Sequence, residues 1–141
     1  MKKIVLLLII FIPLLGITQS NSNDIVGIWL TQIEDAKVEI YKKSNKYYGR
    51  VVWIAEPIDE NGNPVVDAEN PNTQLKTRPI LKMDILTALV YDNDGEWDGE
   101  IYDPKKGEIY TCKVWLENNK LMVRGYWGWL FDTKTWTKAK I

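Results

Sequence analysis

From Trp97 to Trp136 the chain reads WDGEIY, DPKKG, EIYTCKVWLE, NN, KLMVRGYW and then GWLFDTKTW. Runs rich in Trp, Tyr, Val, Ile and Thr alternate here with turn sequences, which is the pattern of strands joined by tight hairpins. Asn118-Asn119 and Asp103-Pro104-Lys105-Lys106-Gly107 supply the turns, because Asn and Gly accept positive φ and Pro presets one turn position. Five of the seven Trp residues lie in this stretch. An antiparallel meander so aromatic has to bury one face.

Outward from it the same grammar continues. Upstream, Asp92-Asn93-Asp94-Gly95 is a hairpin turn following a strand at Thr87–Tyr91. A first strand is expected over Val26–Ile33, a second over Lys37–Lys42 where charged and apolar residues alternate, and a third over Tyr47–Ile54, with Gly49 marking a bulge or a close backbone approach. Downstream, Asp132–Lys138 alternates once more and closes the set. From Ala55 to about Leu81 the recurrence of Pro57, Pro64, Pro71 and Pro79 excludes a long helix or a central strand. A connection that long in a compact domain covers or gates something. Eight or nine short strands without a helix predict an all-β fold, a single small antiparallel up-and-down β-barrel, with a sandwich as the alternative; closure removes the open edges that invite aggregation.

The amino terminus is of another kind. Lys2 and Lys3 precede an apolar run from Ile4 through Leu15, followed by Gly16, Thr18, Ser20 and Ser22. This is the order of an export signal, too short and wrongly flanked for a stable span. Residues 1–20 are therefore read as a cleaved signal peptide and 21–141 as the barrel domain, in a protein that is periplasmic or secreted, a monomer or weak dimer, with no integral membrane segment once mature. Without Lys2 and Lys3, 16 basic residues face 19 acidic ones, a net charge of −3, and no basic run stands out. A nucleic-acid partner has no electrostatic footprint. Cys112 is the only cysteine, so no internal disulfide can form, and its strand position packs it as a small apolar side chain.

Period-two alternation assigns the interior. Tyr110, Cys112, Val114 and Leu116 share one face, and Leu121, Val123, Gly125 and Trp127 share the facing one, opposite Met122, Arg124 and Tyr126. With Val51, Trp53, Trp97 and Ile101 they form an apolar lining, which either fills a small barrel or encloses one ligand. Trp136 is placed inward and Trp115 outward, while Trp129 sits in a turn. The candidate ligand-binding residues are thus Val51, Trp53, Trp97, Ile101, Tyr110, Val114, Val123 and Trp127, joined by two cations. Arg124 either pairs with a ligand carboxylate or stacks on Trp29, and Arg78 either guards the barrel mouth or makes a surface salt bridge.

Catalytic patterns are sparse. The chain has no His, so Ser and Cys nucleophiles lack their usual base and zinc would rest on carboxylates. A calcium loop fails on spacing: with Gly95 at the sixth position, Val90 and Ile101 would have to be the first and last ligands. No metal or cofactor is expected. Glu56, Asp98, Glu100 and Asp103 offer carboxylates for glycoside hydrolysis, but their spacing selects no pair. Trp115, Tyr102, Tyr126 and Trp129 can instead stack on sugar rings.

Gly27-x-Trp29 on the first strand with a late-strand Arg124 is similar to the lipocalin and calycin signature, in which a Trp at the barrel base packs beneath an Arg. Over nearly the whole mature chain, Gly27–Leu30, Tyr48–Trp53, Asp59–Gly62, Asn70-Pro71, Arg78–Leu81, Ile101–Pro104, Gly107 with Tyr110, Leu121–Gly125 and Trp136 resemble the exported bacterial proteins grouped as domain of unknown function 2147. That resemblance implies a lipocalin/calycin-like barrel that binds an apolar small molecule, with no established activity. Many members carry Cys near the third strand and after the last Arg-Gly, where this chain has Tyr47, Tyr48, Tyr126 and Trp127. A disulfide cannot be carried over. The resulting expectation is an exported, non-catalytic protein holding an apolar or amphipathic, lipid-like ligand. A carbohydrate- or envelope-binding module using surface aromatics is the alternative, and a carboxylate-based hydrolase the second.

Overall fold

The computed structural model describes residues 20–141. The expected signal segment lies outside the described residues, except for Ser20 at its end. Eight strands follow one another: β1 Gly27–Leu30, β2 Ala36–Lys43, β3 Lys46–Ile54, β4 Asp84–Tyr91, β5 Glu96–Asp103, β6 Glu108–Glu117, β7 Lys120–Trp127 and β8 Leu130–Ala139. Each pairs antiparallel with the next, and β8 pairs back on β1 through Trp29↔Lys138 and its neighbours. The result is a closed up-and-down barrel rather than a sandwich. Asn118 and Asn119 take the two left-handed turn positions at φ 50 and 62, as the β6–β7 hairpin requires.

Hairpin parity separates two ends. The β2–β3, β4–β5 and β6–β7 turns lie with residues 20–26 at one end, and the β1–β2, β5–β6 and β7–β8 turns lie with the 55–83 connection at the other. The first end is packed shut. Ile25, Trp29, Ile40, Tyr47, Leu89, Trp97, Val114 and Leu121 are all buried there. The aromatic tips are satisfied by the incoming segment: Trp29 Nε1 donates to the Ile25 carbonyl at 2.8 Å, Tyr47 OH to Asn23 Oδ1 at 2.8 Å, and Trp97 Nε1 to the Ser22 carbonyl at 3.2 Å. Burying each such side chain contributes roughly 1.5–3 kcal/mol, provided the polar tip keeps a partner.

Bulges in β3 and β4 break the period-two reading. Lys37 pairs with Trp53 but Val38 with Val51, so Val52 is the extra residue and sidedness inverts beyond it. Val51 faces inward; Trp53, expected inward, faces out. In β4 the pairing slips between Thr87 and Val90, with Ala88 at φ 54, which lets both Leu86 and Leu89 enter the core. Gly49 marks the close approach expected of it, since a Cβ there would lie 2.9 Å from Leu86.

The 55–83 connection is ordered by small devices. Bridges Ile58↔Pro64 and Val66↔Pro79 fold it back on itself, and Asn72 caps a single 3₁₀ turn at Thr73–Leu75. Its anchor is Asp67, a fully buried carboxylate accepting from Tyr102 OH at 2.6 Å, Asn70 Nδ2 at 2.8 Å and Arg78 Nη2 at 2.7 Å. Tyr102 belongs to β5, so this one carboxylate fixes the connection to the barrel.

Candidate ligand-binding site

At the open end the barrel encloses a cavity of about 870 Å³. Its walls come from every strand from β3 to β8. Val51 and Ile54, Ile85, Ile101, Tyr110, and Val123 with Trp127 and Trp136 make an apolar lining, which Val65 and Ile80 of the long connection extend at the rim. Trp127 lies near Tyr110, with ring centroids 5.9 Å apart. Gly125 adds volume, because a Cβ built there would meet nothing nearer than 3.8 Å.

Three polar features interrupt this lining. On β8, alternation puts Asp132 and Lys134 on the same inner face as Trp136, and they pair at 2.7 Å, each about half exposed and lining the cavity. Across the mouth, Lys105 of the β5–β6 turn meets Asp35 of the β1–β2 turn at 3.0 Å, while Thr31 Oγ1 donates to the same carboxylate at 2.7 Å. Burial pushes the Asp35 carboxyl up, but the bonds from Thr31 and Lys105 outweigh it and hold the group below its ordinary value. Two phenols complete the set. Tyr110 donates to Glu108, chiefly for that reason its pKa is pushed up to about 12, and Tyr102 rises to about 12 through burial and then its bond to Asp67. Both remain neutral donors at physiological pH.

The sequence-derived candidates fall into three groups. Val51, Ile101, Tyr110, Val123 and Trp127 line the cavity. Trp97 and Val114 point inward as expected but lie fully buried in the closed end, below the cavity rather than around it. Trp53, Arg78 and Arg124 lie off the cavity wall. The β3 bulge turns Trp53 outward, where Lys37 Nζ sits 5.2 Å from its ring. Arg78 is committed to Asp67 in the long connection. Arg124 follows its strand's outward phase and stacks between Trp115 and Phe131, 4.9 and 4.4 Å from their ring centroids, with Nε donating to Thr133 Oγ1 at 2.7 Å. The cation over Trp29 is instead Lys138, at 4.5 Å, because β8 pairs with β1 directly at that position. Asp132 and Lys134 were absent from the expected lining, although they share a face with Trp136 by simple parity.

For chemistry the arrangement offers little leverage. Asp98 and Glu100 project outside the barrel, Asp98 lying 3.6 Å from Lys113, while Glu56 and Asp103 reach the rim. Cys112 is buried, and burial, followed by the charges of Asp98 and Glu100, pushes its thiol up to about 12, so it carries no thiolate at neutral pH. Among the described residues, no group of three His, Cys, Asp or Glu is placed to hold a metal ion, and no helix is long and apolar enough to cross a membrane.

A family model described as an uncharacterized protein conserved in bacteria, DUF2147, matches residues 27–138. Among solved structures, the chain is similar to protein HP1028 from the human pathogen Helicobacter pylori, described as belonging to the lipocalin family. The two share 22% identity over 82% of each chain, with a TM-score of 0.70. That likeness is one of fold. No curated protein matches the chain.

Proposed function

The chain belongs to the DUF2147 family, and we propose from that premise that it holds one apolar or amphipathic small molecule in the open end of its barrel, without catalysing a reaction on it. The observation that carries this reading is the asymmetric interior: an apolar cavity of about 870 Å³ at one end above a packed core at the other. Cavities that bury most of a small ligand measure roughly 300–1,000 Å³ and place few polar groups on an apolar lining. The lipocalin-like fold and the protonated state of Tyr102, Tyr110 and Cys112 support binding over chemistry. Export is part of the same reading, supported by Lys2, Lys3 and the apolar run that follows.

A specific observation favours a second reading, an envelope- or carbohydrate-binding module. Trp129 is 88% exposed, and Trp127, Leu130 and Phe131 crowd the same β7–β8 hairpin at the barrel mouth, whereas the closed-end turns are Ser44-Asn45, Asp92–Gly95 and Asn118-Asn119. Titration with the uncharged dye Nile red, together with a glycan array, tests both. In the cavity reading, Trp127→Ala weakens dye binding about tenfold, the equivalent of about 1.4 kcal/mol of lost contact, Gly125→Leu abolishes it by filling the space, and Trp129→Ser leaves it intact. Unchanged dye binding in both Trp127→Ala and Gly125→Leu sinks the cavity reading. A glycan signal lost on Trp129→Ser establishes the second.

A further inference from the structure

We infer that the head group of the cavity's ligand is uncharged and both donates and accepts hydrogen bonds, seated on the Lys134–Asp132 pair. This deepens the binding function proposed above and rests on it. The inner face of β8 runs Trp136, Lys134, Asp132 toward the mouth, opposite Leu121, Val123 and Gly125 of β7. Among the described residues, Lys134 and Asp132 are the charged positions of the strand wall below the rim, and Gly125, directly across from Asp132, leaves the space in which a head group would sit. A ligand with an apolar body therefore has one place to put its polar end.

The pair is already made, at 2.7 Å, and neutralises itself. A carboxylate that took Lys134 would strand the Asp132 charge beside its own, and an ammonium that took Asp132 would do the same to Lys134. Like charges a few ångströms apart in a partly desolvated site repel strongly. The rim adds to the discrimination against anions, since Glu34, Asp35, Glu56 and Asp103 face Lys105 and Lys106 there. An amide or hydroxyl escapes this conflict: its carbonyl or hydroxyl oxygen accepts from Lys134 and its N–H or O–H donates to Asp132, leaving the ion pair in place.

The test uses the full-length mature chain and three ten-carbon probes that differ only at the head: decanamide, decanoate and decylamine, titrated calorimetrically at neutral pH. Wild type is expected to bind decanamide at least about tenfold more tightly than either charged probe. Asp132→Asn should move the preference to decanoate, and Lys134→Met should move it to decylamine; both positions are half exposed, so circular dichroism is expected to show the wild-type fold in each. A purely structural role for the pair would not switch preference with the sign of the charge removed. Tightest wild-type binding of decanoate or decylamine, or an order that neither variant changes, overturns the inference while leaving the cavity as a binding site. Failure of all three probes to bind overturns both.

Discussion

The two ends of the barrel use the same alternating strands to opposite effect. At the closed end Trp29, Tyr47 and Trp97 converge, with Tyr47 and Trp97 meeting edge to face at 6.5 Å. At the open end Trp127 and Trp136 line the space without closing it. What differs is the material brought to them. Residues 20–25 deliver Ile25 as a plug and three oxygen acceptors for the aromatic tips. The open end receives Gly125, a charged pair on β8 and loops that lean over the mouth. A packed core and an open cavity are thereby divided along the length of the same strands.

The largest expected effect breaks this division directly. Trp97→Ala should cost about 3–5 kcal/mol, since it removes a fully buried indole and leaves a cavity where neighbours cannot collapse. Trp127→Ala, at a position 45% exposed, should cost less than about 1 kcal/mol. Urea denaturation of the two variants measures both. Equal costs would mean that the ends are not energetically distinct.

Asp67→Ala should come next, at about 2–3 kcal/mol, because it leaves Tyr102, Asn70 and Arg78 donors without their buried acceptor. Burial raises the Asp67 carboxyl, but the bonds from Tyr102, Asn70 and Arg78 outweigh it, so its folded pKa lies below the ordinary 3.8. A depressed folded pKa gives stability that is complete above the unfolded value and disappears as pH falls through the folded one. Thermal melts taken into acid should therefore fall less steeply in Asp67→Ala than in wild type. Parallel curves would show that Asp67 does not supply this part of the acid response.

These contrasts also show what could be read from the sequence. The hairpin pattern of Trp97–Trp136 is local, and it specified β5 to β8 and the inward phase of Tyr110, Val123 and Trp127. Trp53 was misplaced because a bulge is one unpaired residue, Val52, that no change in hydrophobic pattern announces. The first strand ends at Leu30 rather than Ile33, where the Thr31 hydroxyl turns the chain by holding Asp35. Arg124 was drawn toward Trp29 by the resemblance, against the outward phase of its own strand. Lys134 and Asp132 were legible by parity with Trp136, yet charge on a strand normally marks its solvent face. The division into closed and open ends was not legible at all, since it depends on where residues 20–25 and 55–83 dock across long sequence separations.

The smallest stability effect concerns the ion pair at the mouth. Lys105 and Asp35 are 73% and 39% exposed, so Asp35→Asn should change stability by no more than about 0.5 kcal/mol. Its position gives it a different consequence. The β1–β2 and β5–β6 turns stand half the barrel apart, and among the described hydrogen bonds and ion pairs this is the contact that joins them. A bridge over the mouth should slow ligand exit without holding the fold, and because it is exposed, salt should weaken it within the range where the screening length falls below about 8 Å. Stopped-flow release of Nile red should accelerate with salt in wild type and be faster and nearly salt-independent in Asp35→Asn, with Lys105→Met behaving alike. Identical, salt-insensitive release in all three proteins would make the pair a surface contact with no part in gating. A salt response confined to wild type would place the barrier to exchange at the rim, leaving the closed end to set stability alone.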